Sequence, residues 1–336
     1  MEYIGLLDWI NLNNLDWDYL SSNPNSIAIY LLSQNIEKIN KYSLSENKNI
    51  KEFTTKNSIC FEFIKKHMNK SNGFDIDQIV KKSDDINIFK LFIEIINWDY
   101  LSSNPYAIEI LKKNLNNINW SLLSSNPNAI ELLEAYPYKI NWDYLSSNPN
   151  AIKLLEANPK KINWTELSIN PNAIELLKAN PEKINWPRLC LNPNAIELLK
   201  ENPEKIDWNY LSSNPNAIDL LKTNIKMVKW CKVCKIRNYK AINLIRNYFD
   251  KKNYKYLDWL ELSRNPYAID LLKENQDKIK WNYLSLNPAI FKYNYEYMKE
   301  SRKDLNEEII SMALNPIRIN DLMKKYGRDI VYDTYF

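Results

Sequence analysis

Glycine is nearly absent: the chain has 3 in 336 residues. Phosphate-cradling loops, nucleophile elbows and tight β-hairpins place glycine at backbone angles that other residues avoid, so these devices have little to be built from. Histidine is scarcer still. A Ser-His-Asp or Cys-His arrangement would have to use His67, which sits in Lys65-Lys66-His67-Met68, a sequence suited to a helix's last turn, with no nucleophile placed for it. Asp84-Asp85 is an adjacent carboxylate pair that reads as a solvated loop. The 4 cysteines, Cys60, Cys190, Cys231 and Cys234, make no secreted disulfide framework in a chain this long. No apolar run approaches a membrane span, and the opening MEYIGLLDWINLNN lacks a basic segment before an apolar core. An intracellular protein in a reducing compartment is expected, without a membrane and without a cofactor. The net charge of +4 names no partner by itself.

What the sequence does have is a period. Trp98, Trp120, Trp142, Trp164, Trp186, Trp208 and Trp230 stand 22 residues apart, and Trp259 and Trp281 resume the step after seven extra residues. A fixed period of this length belongs to a stacked-repeat architecture. The predicted fold is an all-α solenoid of short helix pairs with 22-residue repeats, roughly nine to twelve pairs with capped ends.

Within Asn163–Ile184, Asn170 is expected to cap one helix, with Pro171 at its first position and Ala173, Ile174, Leu176 and Leu177 as its apolar face. Asn180-Pro181 stops it, because proline cannot continue a helix interior. Asn185 then caps a second helix carrying Trp186 and Leu189. So small a pair must bury its apolar stripe on its neighbours, and tryptophan is expected to be the main packing unit.

Three regions follow. Residues 1–96 read as divergent amino-terminal repeats and a cap: Asp16–Pro24 is a full copy of the Trp signature, while Lys41 stands in the next Trp slot. Residues 97–290 are the regular array, whose stretch from Asn97 to Lys222 holds 14 acidic and 12 basic residues, interspersed as on a solvated surface. Residues 291–336 read as a carboxy-terminal cap. The abundance of Asn, Lys, Ile and Tyr is read as the mark of an AT-rich genome.

Two places carry candidate sites. Tyr19, Tyr100, Tyr144, Tyr210 and Tyr283 all lie two residues after the repeat Trp (or its copy), with Leu122, Glu166 and Arg188 in the same slot elsewhere. Stacking brings equivalent positions into a row, so Tyr100, Tyr144, Tyr210 and Tyr283 are candidates for a partner-binding ridge, tyrosine being enriched at interface anchors. The bland alternative is that they cover seams between repeats. The second place is the basic, aromatic insertion 226–256, with Lys229, Lys232, Lys235, Arg237, Lys240 and Arg246 as its candidate patch for phosphates or acidic proteins. Its bland alternative is a solvated face plus a loop. Cys231-Lys232-Val233-Cys234 has zinc-type spacing, but a structural site needs four ligands, so packed thiols are the favoured reading over metal or redox chemistry.

The run LSSNPNAIKLLEANPKKINW, Leu145–Trp164, resembles the short repeats in multigene families of mimivirus-like giant DNA viruses that infect amoebae and other protists. The resemblance covers Asn97–Ile290 well, Asp16–Asn40 less well and the caps weakly. It implies a non-enzymatic interaction module in host cytoplasm or virion, with a host or virion protein as partner, and no catalytic residues. A nucleic-acid-binding protein using 226–256, or a virion structural component, are the alternatives.

Overall fold

The computed structural model describes residues 4–47, 96–249 and 256–293, together with Phe89 and Ile93. Expectations placed on Cys60, His67, Asp84, Asp85 and the 294–336 part of the carboxy-terminal cap lie outside the described residues. The chain divides into two units, Asp8–Ile290 and Met1–Leu7 with Phe291–Phe336. In the smaller unit, strands Ile4–Leu6 and Phe291–Tyr293 pair antiparallel, with Gly5 opposite Lys292.

The larger unit is the all-α repeat array. In each regular repeat a Trp helix, such as Trp164–Ser168, is followed by a turn, an Ile helix (Ile174–Lys178) and a 3-10 turn (Pro181–Lys183). Asn163 caps the Trp helix: its side-chain oxygen accepts from the N–H groups of Thr165 and Glu166 at 3.1 and 3.2 Å, which satisfies two of the free donors of the first turn. Pro181 opens the 3-10 turn and ends the Ile helix as expected. Asn170 does not cap a helix, however. The Ile helix begins only at Ile174, after Ala173, which makes no side-chain cap; the Asn170 oxygen serves the turn before it, and its amide reaches the neighbouring repeat.

That commitment builds the seams. The Asn170 amide donates to the carbonyls of Ser146 and Asn148 in the preceding repeat at 3.0 and 2.9 Å, and its oxygen accepts from the Asn172 N–H at 3.0 Å. The Ser168 hydroxyl donates to the Trp164 carbonyl at 2.7 Å and accepts the Asn185 N–H of the next repeat at 3.0 Å. A third tie runs from the Asn172 amide to the Pro149 carbonyl at 2.9 Å. Leu167, Ala173, Leu177 and Ser168 are fully buried, and Asn170 is 1% exposed. Among the described residues no buried side-chain polar atom lacks a partner, as a polar interior requires. Asparagine is therefore a structural element of the regular seams, whatever genome encodes it.

The tryptophans are only half-buried, which corrects their expected place as the main packing unit. The leucine three residues on fills the core, leaving the indole at the rim. There a lysine from the following 3-10 turn lies over it: Lys183 Nζ is 4.6 Å from the Trp164 ring, and Lys161 is 4.5 Å from Trp142.

The array closes on itself. The Asn23 amide donates to the carbonyls of Ser285 and Asn287 at 2.7 and 3.1 Å, Asn25 to Pro288 at 2.6 Å, and the Asp16 N–H to the Ser285 hydroxyl at 2.8 Å. These are the three ties of a regular seam, made between the first repeat and the last. From Asn23 the ladder runs on to Asn47, whose amide donates to the carbonyls of Ser21 and Asn23. The Trp helices pack directly on one another at this junction, Trp17–Ser21 against Trp281–Ser285, as they do at regular seams. Within this unit the repeat of Trp17 and the repeat of Trp281 thus meet each other.

Candidate interaction surfaces

Among the described residues, the third positions of stacked Trp helices fall beside one another in a row. Glu166 and Arg188, neighbours in it, are joined at 2.6 Å, and across the closing seam the rings of Tyr283 and Tyr19 stand 5.3 Å apart. A hydrogen bond to Tyr283 is the main reason the Tyr19 phenol titrates above its ordinary range. Tyr144 and Tyr210 are 45% and 40% exposed, whereas Tyr100 and Tyr283 are half-buried. The four expected tyrosines thus lie in one row but not with equal access. Lys232 occupies the same slot, two residues after Trp230, so this member of the basic set stands next to Tyr210. The spacing alone reveals this, once Lys232 is counted in the repeat and not in the insertion.

The basic stretch is not a single free patch. Lys235 lies 3.6 Å from Glu261, Lys240 is 3.3 Å from Asp219, and Arg246 is 3.1 Å from Glu274. Lys240 reaches back to the preceding repeat while Arg246 reaches forward to the next, so one helix sends its cations to opposite seams. Lys229, Lys232 and Arg237 carry no ion pair among the described residues. Residues 250–255 of the insertion lie outside the description.

The insertion does reshape its repeat. The Ile-type helix here runs from Tyr239 to Tyr248, ten residues against five in Ile174–Lys178. Its end covers Trp230: Tyr248 stacks on the indole at 4.7 Å and Phe249 meets it edge-on at 4.7 Å. Ile236 occupies the ladder-asparagine position, so the carbonyls of Ser212 and Asn214 receive no amide there, and the outer tie from Asn238 to Pro215 lengthens to 3.3 Å. At the following seam Asn265 restores the ladder, donating to Cys234 and Ile236. A groove of about 370 Å³ lies on the same inter-repeat seam, between Ile218–Thr223 and Tyr239–Tyr248.

Both buried cysteines replace the seam serine. The Asp207 N–H reaches Cys190 Sγ at 3.3 Å, and Cys234 faces the Asp258 N–H in the same way. Burial pushes the Cys234 thiol up to about 12 and raises that of Cys190. Cys231 is exposed. Among the described residues no group of three His, Cys, Asp or Glu could hold a metal, and none of their helices is long and apolar enough to cross a membrane. No family model, curated protein or solved structure matches the chain.

Proposed function

We propose that the chain is a non-enzymatic scaffold that binds a protein partner along the row of Trp-helix third positions, with Tyr144 and Tyr210 as principal anchors and Tyr100 and Tyr283 at their flanks. The supporting observation is the closeness of the row's slots: the Glu166–Arg188 contact at 2.6 Å brings successive slots within reach of one another. Between the two exposed tyrosines lies that ion pair, and beyond Tyr210 comes Lys232, so the row offers aromatic, acidic and basic contacts in fixed order. Tyrosine presents a large rigid surface with few torsions to immobilise, which suits it to anchor an interface. The resemblance of the repeats to giant-virus families supports a host or virion protein as the partner.

Affinity purification of the tagged chain from infected or host cells, after nuclease, tests this when run beside Tyr144→Ser/Tyr210→Ser. Both side chains are exposed, so the variant keeps its fold. The expected result is a discrete protein retained by the parent chain and lost by the variant. Retention unchanged by the substitutions would overturn the assignment to the row. Loss of all partners on nuclease treatment would place binding on nucleic acid instead.

A further inference from the structure

We propose that the groove between Ile218–Thr223 and Tyr239–Tyr248 is a second binding site, one that takes an extended acidic peptide with apolar side chains at alternate positions. The site is independent of the tyrosine row. Its seam departs from the repeat in three ways: Ile236 replaces the ladder asparagine, the outer tie is 3.3 Å, and the helix Tyr239–Tyr248, which lines the groove, has ten residues. Its apolar lining comprises the buried Ile218 and Leu244 with Ile225 and Tyr248. Its volume of about 370 Å³ falls in the size range of ligand pockets.

Two features fix the occupant. Asn243 and Asn247 both line the groove and are exposed, and neither side chain has a hydrogen-bond partner among the described residues. Four residues apart on a helix, their amides are separated by about 6 Å along the axis, close to the roughly 6.6 Å between alternate residues of an extended chain. They can therefore pair with every second peptide unit of a strand laid in the groove, while alternate side chains drop onto its apolar lining. The rim sets the charge. Asp219, its one carboxylate, is engaged by Lys240 at 3.3 Å, whereas Lys222, and Lys226 next to Ile225, are exposed and carry no ion pair among the described residues. Carboxylates on the outward-facing positions of the peptide would meet these cations.

The test uses the full chain and four fluorescein-labelled probes: peptides alternating Glu with Leu, Lys with Leu and Glu with Ser, and an oligothymidylate, read by anisotropy. The Glu/Leu peptide is expected to bind best. Asn243→Trp, which fills the groove from an exposed position, should weaken it at least about tenfold with thermal unfolding unchanged. Lys222→Glu/Lys226→Glu should exchange the preference, so that the Lys/Leu peptide binds at least about threefold better than the Glu/Leu one. Equal binding of the Glu/Ser peptide, no binding of the Glu/Leu peptide, indifference to Asn243→Trp, or oligothymidylate as the preferred ligand would each overturn the proposal.

Discussion

The seam between the Trp142 and Trp164 repeats and the seam between the Trp208 and Trp230 repeats use one chain direction and one apolar core, yet they are held differently. At the first, the Asn170 amide spans to two carbonyls of its neighbour and Asn172 adds a 2.9 Å outer tie. At the second, the Ser tie survives, with the Lys229 N–H on the Ser212 hydroxyl at 3.0 Å, but Ile236 supplies no amide. Apolar packing with the serine tie and a 3.3 Å outer tie thus suffices to stack two repeats without the ladder amide. The seam that lacks the ladder amide also carries the groove and the ten-residue helix.

The difference can be broken from the regular side. Asn214→Ile, which copies the lapse into the preceding seam, removes donors to the Cys190 and Asn192 carbonyls and an acceptor for the Asn216 N–H; chemical denaturation should show a loss of about 3 kcal/mol, since buried partners are left unmade. The reverse change, Ile236→Asn, should alter stability by less than about 1 kcal/mol, because gained amide donors offset lost apolar burial. Trp164→Ala should cost about 2 kcal/mol, below the value for a fully buried indole, and Glu175→Ala less than about 0.5 kcal/mol, its ion pair with Lys178 being on the surface.

Smaller effects sharpen the same contrast at the thiols. Cys190→Ser should shorten the 3.3 Å contact from Asp207 and raise stability by about 0.5 kcal/mol. Cys234 titrates near 12 in the folded chain against an ordinary value of 9.0, so the folded state holds its proton longer than the unfolded one. Its contribution is complete below pH 9 and is lost as pH rises towards 12, because the unfolded chain then releases the proton first. Between pH 8 and pH 10 the parent chain should lose about 1 kcal/mol more than Cys234→Ser, and iodoacetamide should label Cys231 before Cys190 or Cys234.

Much of this was legible in the sequence. The step of 22, the Asn185 cap and the Asn180-Pro181 stop gave the fold class and the helix boundaries, because each acts through local backbone chemistry. Asn170 was misread for the same reason: Asn-Pro before an apolar run has the pattern of a local cap, and only the stacked neighbour shows that its amide is used across the seam. Size suggests burial of the tryptophan, whereas a five-residue helix has room for one apolar core side chain, Leu167, and leaves Trp164 at the rim beneath Lys183. Closure was not visible at all. Asp16–Pro24 is a plain copy of the repeat, and which repeat it stacks on depends on how curvature accumulates around the array, which no single repeat encodes.

Amide hydrogen exchange at Asp16 tests the closed array most directly. Its N–H donates to the Ser285 hydroxyl of the last repeat, as the Asn163 N–H does to Ser146 within the array. Closure requires both to exchange at least about a hundredfold more slowly than an unstructured amide, with Ser285→Ala speeding Asp16 and leaving Asn163 unchanged. Rapid exchange at Asp16 in the parent chain, beside a protected Asn163, would mean that the first and last repeats do not meet.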